Sequence, residues 1–231
     1  MHSLLKMLGL DKRLGHRLRL LNRGLRFRHI LRYAEIPGWL TENEAVTLYD
    51  LARGLPDTDP VVVEIGSWVG RSSLVLAKGI QAKSNPVLYC IDPFNVDELP
   101  SEKEFYMTEA CRLGMPPHEQ FVLNMKTNGV YDLAIVLVGY STDFAPGFAE
   151  KIDLLFVDGG HQYEAVLRDY EDWCPLVEAG GVVAFHDVVM DPTGDEHVGP
   201  GMVVKQCVLG NPEWSDVKLV DTLLVARRMG A

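Results

Sequence analysis

Two aspartates and two histidines carry the most chemically suggestive pattern in this chain. Asp158 and His161 follow a short apolar run in F-V-D-G-G-H, and His186 and Asp187 follow another in V-V-A-F-H-D. An imidazole takes up protons near neutral pH. Carboxylates grouped with imidazoles can hold a divalent cation. The residue types therefore point to a general base, a metal, or both.

Something must bring the four groups together. Each apolar run, residues 154–157 and 182–185, has the length of a buried parallel strand. Between them Tyr163, Val166, Leu167, Tyr170, Trp173 and Val177 recur at helical spacing, and Gly180-Gly181 is the expected stop. A strand–helix–strand unit sets its strand ends side by side at the carboxyl edge of a parallel sheet, where open α/β proteins place ligands.

The preceding chain repeats the alternation. The β-branched run 61–65 leads to a helix over 71–80, then a strand over 87–91 ending in Asp92-Pro93. A helix at 117–128 and a strand at 133–138 follow, the latter ending in Gly139-Tyr140-Ser141. Residues 94–116 read as an irregular excursion above the sheet edge. Thr41 and Glu44 form a capping-box signature for a helix running to Arg53. After Asp187 comes a loop, 190–201, that contains His197. A helix at 202–209 and two strands, 217–220 and 222–227, complete the pattern, the strands separated by little more than Asp221. The sequence predicts an α/β fold: a Rossmann-like, doubly wound, mostly parallel seven-stranded sheet with a C-terminal antiparallel hairpin, plus an N-terminal helical arm.

The chain has 231 residues, of which 47% are hydrophobic, enough for one large domain. Its formal net charge is −10, but residues 1–32 hold nine Lys or Arg against one Asp. That leaves the arm at +8 and residues 33–231 at −18, which argues against a nucleic-acid partner. The expected division is a basic helical arm over 1–36 and a domain over 37–231. The arm either packs on its own domain or a neighbouring subunit, contacts an anionic membrane surface, or meets an acidic partner. Arm exchange between subunits would give a homo-oligomer. Four scattered cysteines show no zinc or redox spacing, and neither a signal peptide nor a membrane-length apolar run appears. A cytoplasmic location follows as the expectation.

The loop after the first strand reads E-I-G-S-W-V-G-R-S-S. Gly66 and Gly70 permit a sharp turn and a close ligand approach. A dinucleotide fold would want G-x-G-x-x-G, whose second glycine admits the pyrophosphate. Ser67 and Trp68 stand there instead, which counts against NAD or FAD. Asp92 ends the next strand, where an acid can bind both hydroxyls of a ribose. Glu64 belongs to this cofactor loop, is a structural carboxylate that caps amides, or is both.

Together V-V-E-I-G-S-W-V-G-R-S-S, Y-C-I-D-P-F, G-Y-S, I-D-L-L-F-V-D-G-G-H-Q-Y-E and A-G-G-V-V-A-F-H-D-V resemble the class I S-adenosylmethionine-dependent methyltransferases. The resemblance is to the small-molecule O-methyltransferases, in particular the bacterial group related to macrolide-sugar and catechol enzymes. It spans roughly residues 37–227. It implies S-adenosylmethionine as cofactor, with Glu64, Gly66, Ser67, Gly70 and Ser72 around its methionine part. Asp92 would hold the ribose, Tyr140 and Ser141 would flank the adenine, and Asp158 would border the cofactor. The resemblance also implies a metal held by Asp158, His186 and Asp187, with His161 as general base. His186 departs from the oxygen ligand usual there, so the metal is Mg²⁺ or a transition metal, or His186 turns away, or no metal binds. His161 could instead cap the following helix or orient Asp158. The implied acceptor is a small hydroxylated molecule or sugar, under a lid from residues 94–116 and 190–201. A hydroxylase-like enzyme on the same fold and a non-catalytic binding module are the alternatives.

Overall fold

Seven short strands alternate with helices in the computed structural model, which describes residues 10–95, 103–189 and 199–230. His197, the first nine residues of the arm and much of the expected lid, residues 96–102 and 190–198, lie outside the described residues. The strands are β1 Val61–Ile65, β2 Val87–Asp92, β3 Ala134–Val138, β4 Ile152–Val157, β5 Val177–Phe185, β6 Trp214–Val220 and β7 Leu223–Arg228. Their order across the sheet is β3-β2-β1-β4-β5-β7-β6. The first five run parallel, and β7 and β6 are antiparallel to their neighbours. The doubly wound sheet and the terminal hairpin are as expected.

The helices are α1 Leu10–Arg23, α2 Glu42–Arg53, α3 Arg71–Ile80, α4 Lys103–Leu113, α5 Pro117–Thr127, α6 Ser141–Phe144 and α7 Tyr163–Trp173. The last, α8 Gly199–Val203, runs on into a π-helical turn, Val204–Val208. β4 is buried at every position because both faces of the sheet are covered. Its Leu154 and Phe156 pack with Leu48, Leu74, Leu76 and Leu88 in one core layer. Leu155 and Val157 pack with Val166, Trp173, Phe185 and Val204 in the other. This alternation is the period-two geometry of a strand between two helical layers.

Two expectations are corrected. Residues 103–113, expected to be irregular, form α4, which stops at Gly114 where φ is +72°. The helix after His161 does not run to Gly180-Gly181; it ends at Trp173, ahead of Pro175, and β5 starts at Val177. Along β4 the pairing steps from Ile152–Val177 to Leu154–Val182, so residues 178–181 bulge out of the ladder. Gly180 supplies the left-handed φ of +84° there. A double glycine marks a helix stop and a strand bulge equally well, and the pattern alone does not choose between them.

The basic arm packs inward. Leu20 on α1, then Phe27, Ile30 and Tyr33, are buried in the first core layer. Two of its arginines face acids of the body, Arg19 meeting Glu42 at 3.2 Å and Arg26 binding Asp50 through two hydrogen bonds of 2.8 and 2.9 Å, while Arg17 reaches Glu35 within the arm. Leu14, Leu18 and Leu25 face outward. Among the described residues no helix is long and apolar enough to cross a membrane.

Candidate active site

The site begins where β1 and β4 lie side by side, the point at which the strand order reverses. Gly66, at the end of β1, has φ +88°. A Cβ there would overlap the carbonyl oxygen of Asp158 at the end of β4. The Asp158 amide donates to the Ile65 carbonyl at 2.8 Å, and the Gly66 amide donates to the Ile91 carbonyl at 2.9 Å. Only glycine allows the two loops to touch backbone to backbone.

Around this contact stand the residues of the expected cofactor loop. Glu64 is fully buried; its Oε2 accepts hydrogen bonds from the Ser67 hydroxyl at 2.7 Å and from the Ser73 hydroxyl. Burial pushes its carboxyl up to about 7, partly offset by the Ser72, Ser73 and Ser67 hydroxyls. Its other oxygen, Oε1, is buried and accepts no close hydrogen bond among the described residues. Glu64 thus binds side-chain hydroxyls rather than capping amides. Gly70, at φ +90°, lets Phe121 of α5 approach: a Cβ there would lie 3.1 Å from its ring.

Asp92 ends β2 and gathers three loops. Its Oδ2 accepts from the Trp68 amide at 2.7 Å and its Oδ1 from the Phe94 amide at 2.6 Å. The Gly139 amide donates to its carbonyl at 3.1 Å, which sets Tyr140 beside it. A carboxylate has about four acceptor sites, so Asp92 keeps capacity for a ligand beside these amides. Burial raises the Asp92 pKa, with Asp158 adding to the rise, so Asp158 and Asp92 share one electrostatic neighbourhood. Ser141 donates to Asp169 of α7.

Asp158, His161, His186 and Asp187 meet at the ends of β4 and β5, where the strand–helix–strand reading put them. His161 Nε2 lies 3.2 Å from Asp187 Oδ2. His186 Nδ1 lies 3.0 Å from Asp158 Oδ1 and 3.2 Å from Asp187 Oδ2. His186 does not stand as an outward-facing ligand. Its Nε2 lies 3.1 Å from Glu44 Oε2, so carboxylates face both ring nitrogens. Burial lowers its pKa, but Asp158, Asp187 and Glu44 outweigh burial and hold it well above the ordinary imidazole value. Burial likewise disfavours the charged Asp187, yet hydrogen bonds to His161 and His186 hold its pKa well below the usual carboxylate range. With a proton on each nitrogen the ring donates to both sides.

Asp158, His161 and Asp187 each offer a ligand atom, and these atoms lie within 4.8 Å of one another. The imidazole of this group is that of His161, where the sequence reading had named His186. Sequence reasoning missed Glu44, because the capping box explained that residue completely. It also missed the Asp92 clamp on Trp68 and Phe94, which no pattern signals.

A family model described as a methyltransferase domain matches residues 63–188. Uncharacterized protein R132 of Acanthamoeba polyphaga mimivirus is 29% identical over 140 residues, 61% of this chain. The match spans 57% of that protein's own length. Among solved structures, cofactor-bound Rv0187 from MTB has a TM-score of 0.62 at 19% identity, covering 94% of this chain and 90% of its own. The O-methyltransferase TomG from Streptomyces achromogenes, solved with SAM, has a TM-score of 0.59 at 20% identity over 83% and 82%. The O-methyltransferase from Bacillus cereus, solved with SAH, has 0.59 at 15% over 89% and 90%. At these identities the structures show a shared fold.

Proposed function

The chain belongs to the methyltransferase domain family, and from that premise we propose that it is an S-adenosylmethionine-dependent O-methyltransferase acting on a hydroxyl of a small molecule or sugar. The observation that carries this reading is the meeting of Asp158, His161 and Asp187 beside the loop of Glu64, Gly66 and Asp92. A cofactor held at the switch point would present its methyl group to an acceptor at the acid–imidazole corner. Ser67, Gly70 and Ser72 would shape the methionine end. Asp92 would accept the ribose hydroxyls, with Tyr140 and Ser141 on the adenine side.

In the reaction the acceptor oxygen attacks the methyl carbon, the carbon–sulfur bond breaks, and the hydroxyl proton must leave. His161 would accept that proton, with Asp187, 3.2 Å away, orienting the ring and stabilising the imidazolium. A divalent cation fits the corner as well, because two carboxylates lie within 4.8 Å of each other and of an imidazole. Asp158 and Asp187 would hold it, with His186 behind them. When bound it would lower the pKa of the acceptor hydroxyl. Oxygen donors suit Mg²⁺ or Mn²⁺.

The acidic body favours a small acceptor over a nucleic acid. A cytoplasmic location is part of the same proposal, and the free thiols of Cys90 and Cys174 accord with it. The test is calorimetry with S-adenosylmethionine and S-adenosylhomocysteine, then transfer of labelled methyl to a panel of phenols and sugars. A folded protein that binds neither ligand sinks the reading. A binding module would keep its function in an Asp158→Ala variant, whereas the proposed enzyme would lose turnover.

A further inference from the structure

Glu44 lies on α2, outside the 63–188 stretch that matches the family model, yet it reaches the acid–imidazole corner. As the fourth residue of a capping box it exchanges hydrogen bonds with Thr41: the Thr41 amide donates to Glu44 Oε2 at 2.8 Å, and the Glu44 amide donates to Thr41 Oγ1 at 3.2 Å. That duty suits a surface carboxylate. Glu44 is instead completely buried, which is costly for a carboxylate unless every lone pair is matched.

Its partners are matched on both oxygens. Oε1 accepts from the Thr222 amide at 2.9 Å and from the Thr222 hydroxyl at 2.8 Å. Oε2 accepts from Thr41 and from His186 Nε2 at 3.1 Å. The far side of the same ring holds Asp158 Oδ1 and Asp187 Oδ2, at 3.0 and 3.2 Å from Nδ1. Asp158 and Asp187 come from different strands and repel each other. The ring is the group that bridges them, and Glu44 fixes the ring.

We propose that Glu44 is the positioning residue of the active corner: through His186 it sets where the Asp158 and Asp187 carboxylates stand. This rests on the proposed role of those carboxylates and deepens it. Glu44 touches neither cofactor nor acceptor; it acts through the imidazole. The Thr222 turn completes the brace, because the Val188 amide, next to Asp187, donates to the Thr222 carbonyl at 2.9 Å.

The test uses the full chain, with Mn²⁺ as probe. Glu44→Gln keeps the size of the side chain but cannot accept from Thr222 and from the Thr41–His186 side with both ends. Mn²⁺ affinity, read by electron paramagnetic resonance, is expected to fall about tenfold or more. The S-adenosylmethionine dissociation constant is expected to stay within about twofold. A crystal structure of the variant is expected to show Asp187 displaced from His161. Glu42→Ala is the structural control: it breaks the ties of the same helix end to Arg19 and Arg23 and leaves the bonds to His186 and Thr222 in place, so its Mn²⁺ affinity is expected to hold. Should Glu44→Gln not fold, Glu44→Asp retracts the carboxylate from His186 and is expected to move Mn²⁺ affinity in the same direction. The proposal is overturned if Glu44→Gln and Glu42→Ala lose affinity alike, in step with their melting temperatures. It is overturned too if Asp158 and Asp187 keep their places in the variant structure. Wild type that binds no S-adenosylmethionine strikes the proposed function instead, and the crystallographic comparison still decides the role of Glu44.

Discussion

Gly66 and Asp158 touch through their backbones, leaving no room for a Cβ between the loops that end β1 and β4. Gly66 also needs a φ of +88°, which a side chain resists. Gly66→Ala is therefore expected to cost about 3 kcal/mol or more, since backbone atoms rather than a flexible side chain must move. Chemical denaturation checks the loss, and calorimetry of the fraction that folds is expected to show S-adenosylmethionine binding abolished.

His161 can be separated from the cofactor loop by kinetics. His161→Asn is expected to leave S-adenosylmethionine affinity within about twofold and to lower turnover by about 10²–10⁴, the range for losing a general base. A variant that turns over at the wild-type rate would show that the proton leaves by another route.

Asp169 carries a pH signature. Burial pushes its carboxyl up to about 6 from 3.8, against the Ser141 hydroxyl bond that favours the charged form. Because its folded pKa is raised, the folded state keeps a proton that the unfolded chain has already released. Stability from this group is thus full below about pH 4 and is lost as pH rises through about 6, by up to about 3 kcal/mol. Asp169→Asn is expected to remove that fall. Thermal melts of both proteins from pH 4 to 8 make the comparison.

The arm can be tested as part of the core. Phe27 is buried among Tyr49 and its neighbours, so Phe27→Ala is expected to cost about 3–5 kcal/mol. Arg26→Ala, which breaks the exposed pair with Asp50, is expected to cost far less, and less still in high salt. Denaturant midpoints of the two variants decide whether apolar burial or ion pairing fastens the arm.

Most of the scaffold is legible because its signals are local. The run V-V-V-E-I specifies β1, Thr41 and Glu44 announce the start of α2, and Asp221 marks the tip of the terminal hairpin. The gathering of Asp158, His161, His186 and Asp187 is also legible, because strand ends in a parallel sheet must share an edge. What the ring of His186 faces is not. Its partner Glu44 is 142 positions away, and a capping-box glutamate looks the same whether it is exposed or buried. The bulge at Gly180 escapes for a related reason: two glycines permit several backbone paths, and the pairing with β4 selects one.

The brace at Glu44 also bears on how the chain folds. Thr222 and Glu44 are 178 positions apart, and Thr41 and Asp221 are 180 apart, so this closure has one of the largest sequence separations in the protein. Contacts of that span bear a heavy loop-closure entropy and form late. The cofactor loop, built from neighbouring β1, α3 and β2, can assemble early. Refolding should therefore pass through a stage at which the methyl donor has a seat but the acid corner is still open, and activity should return after binding does.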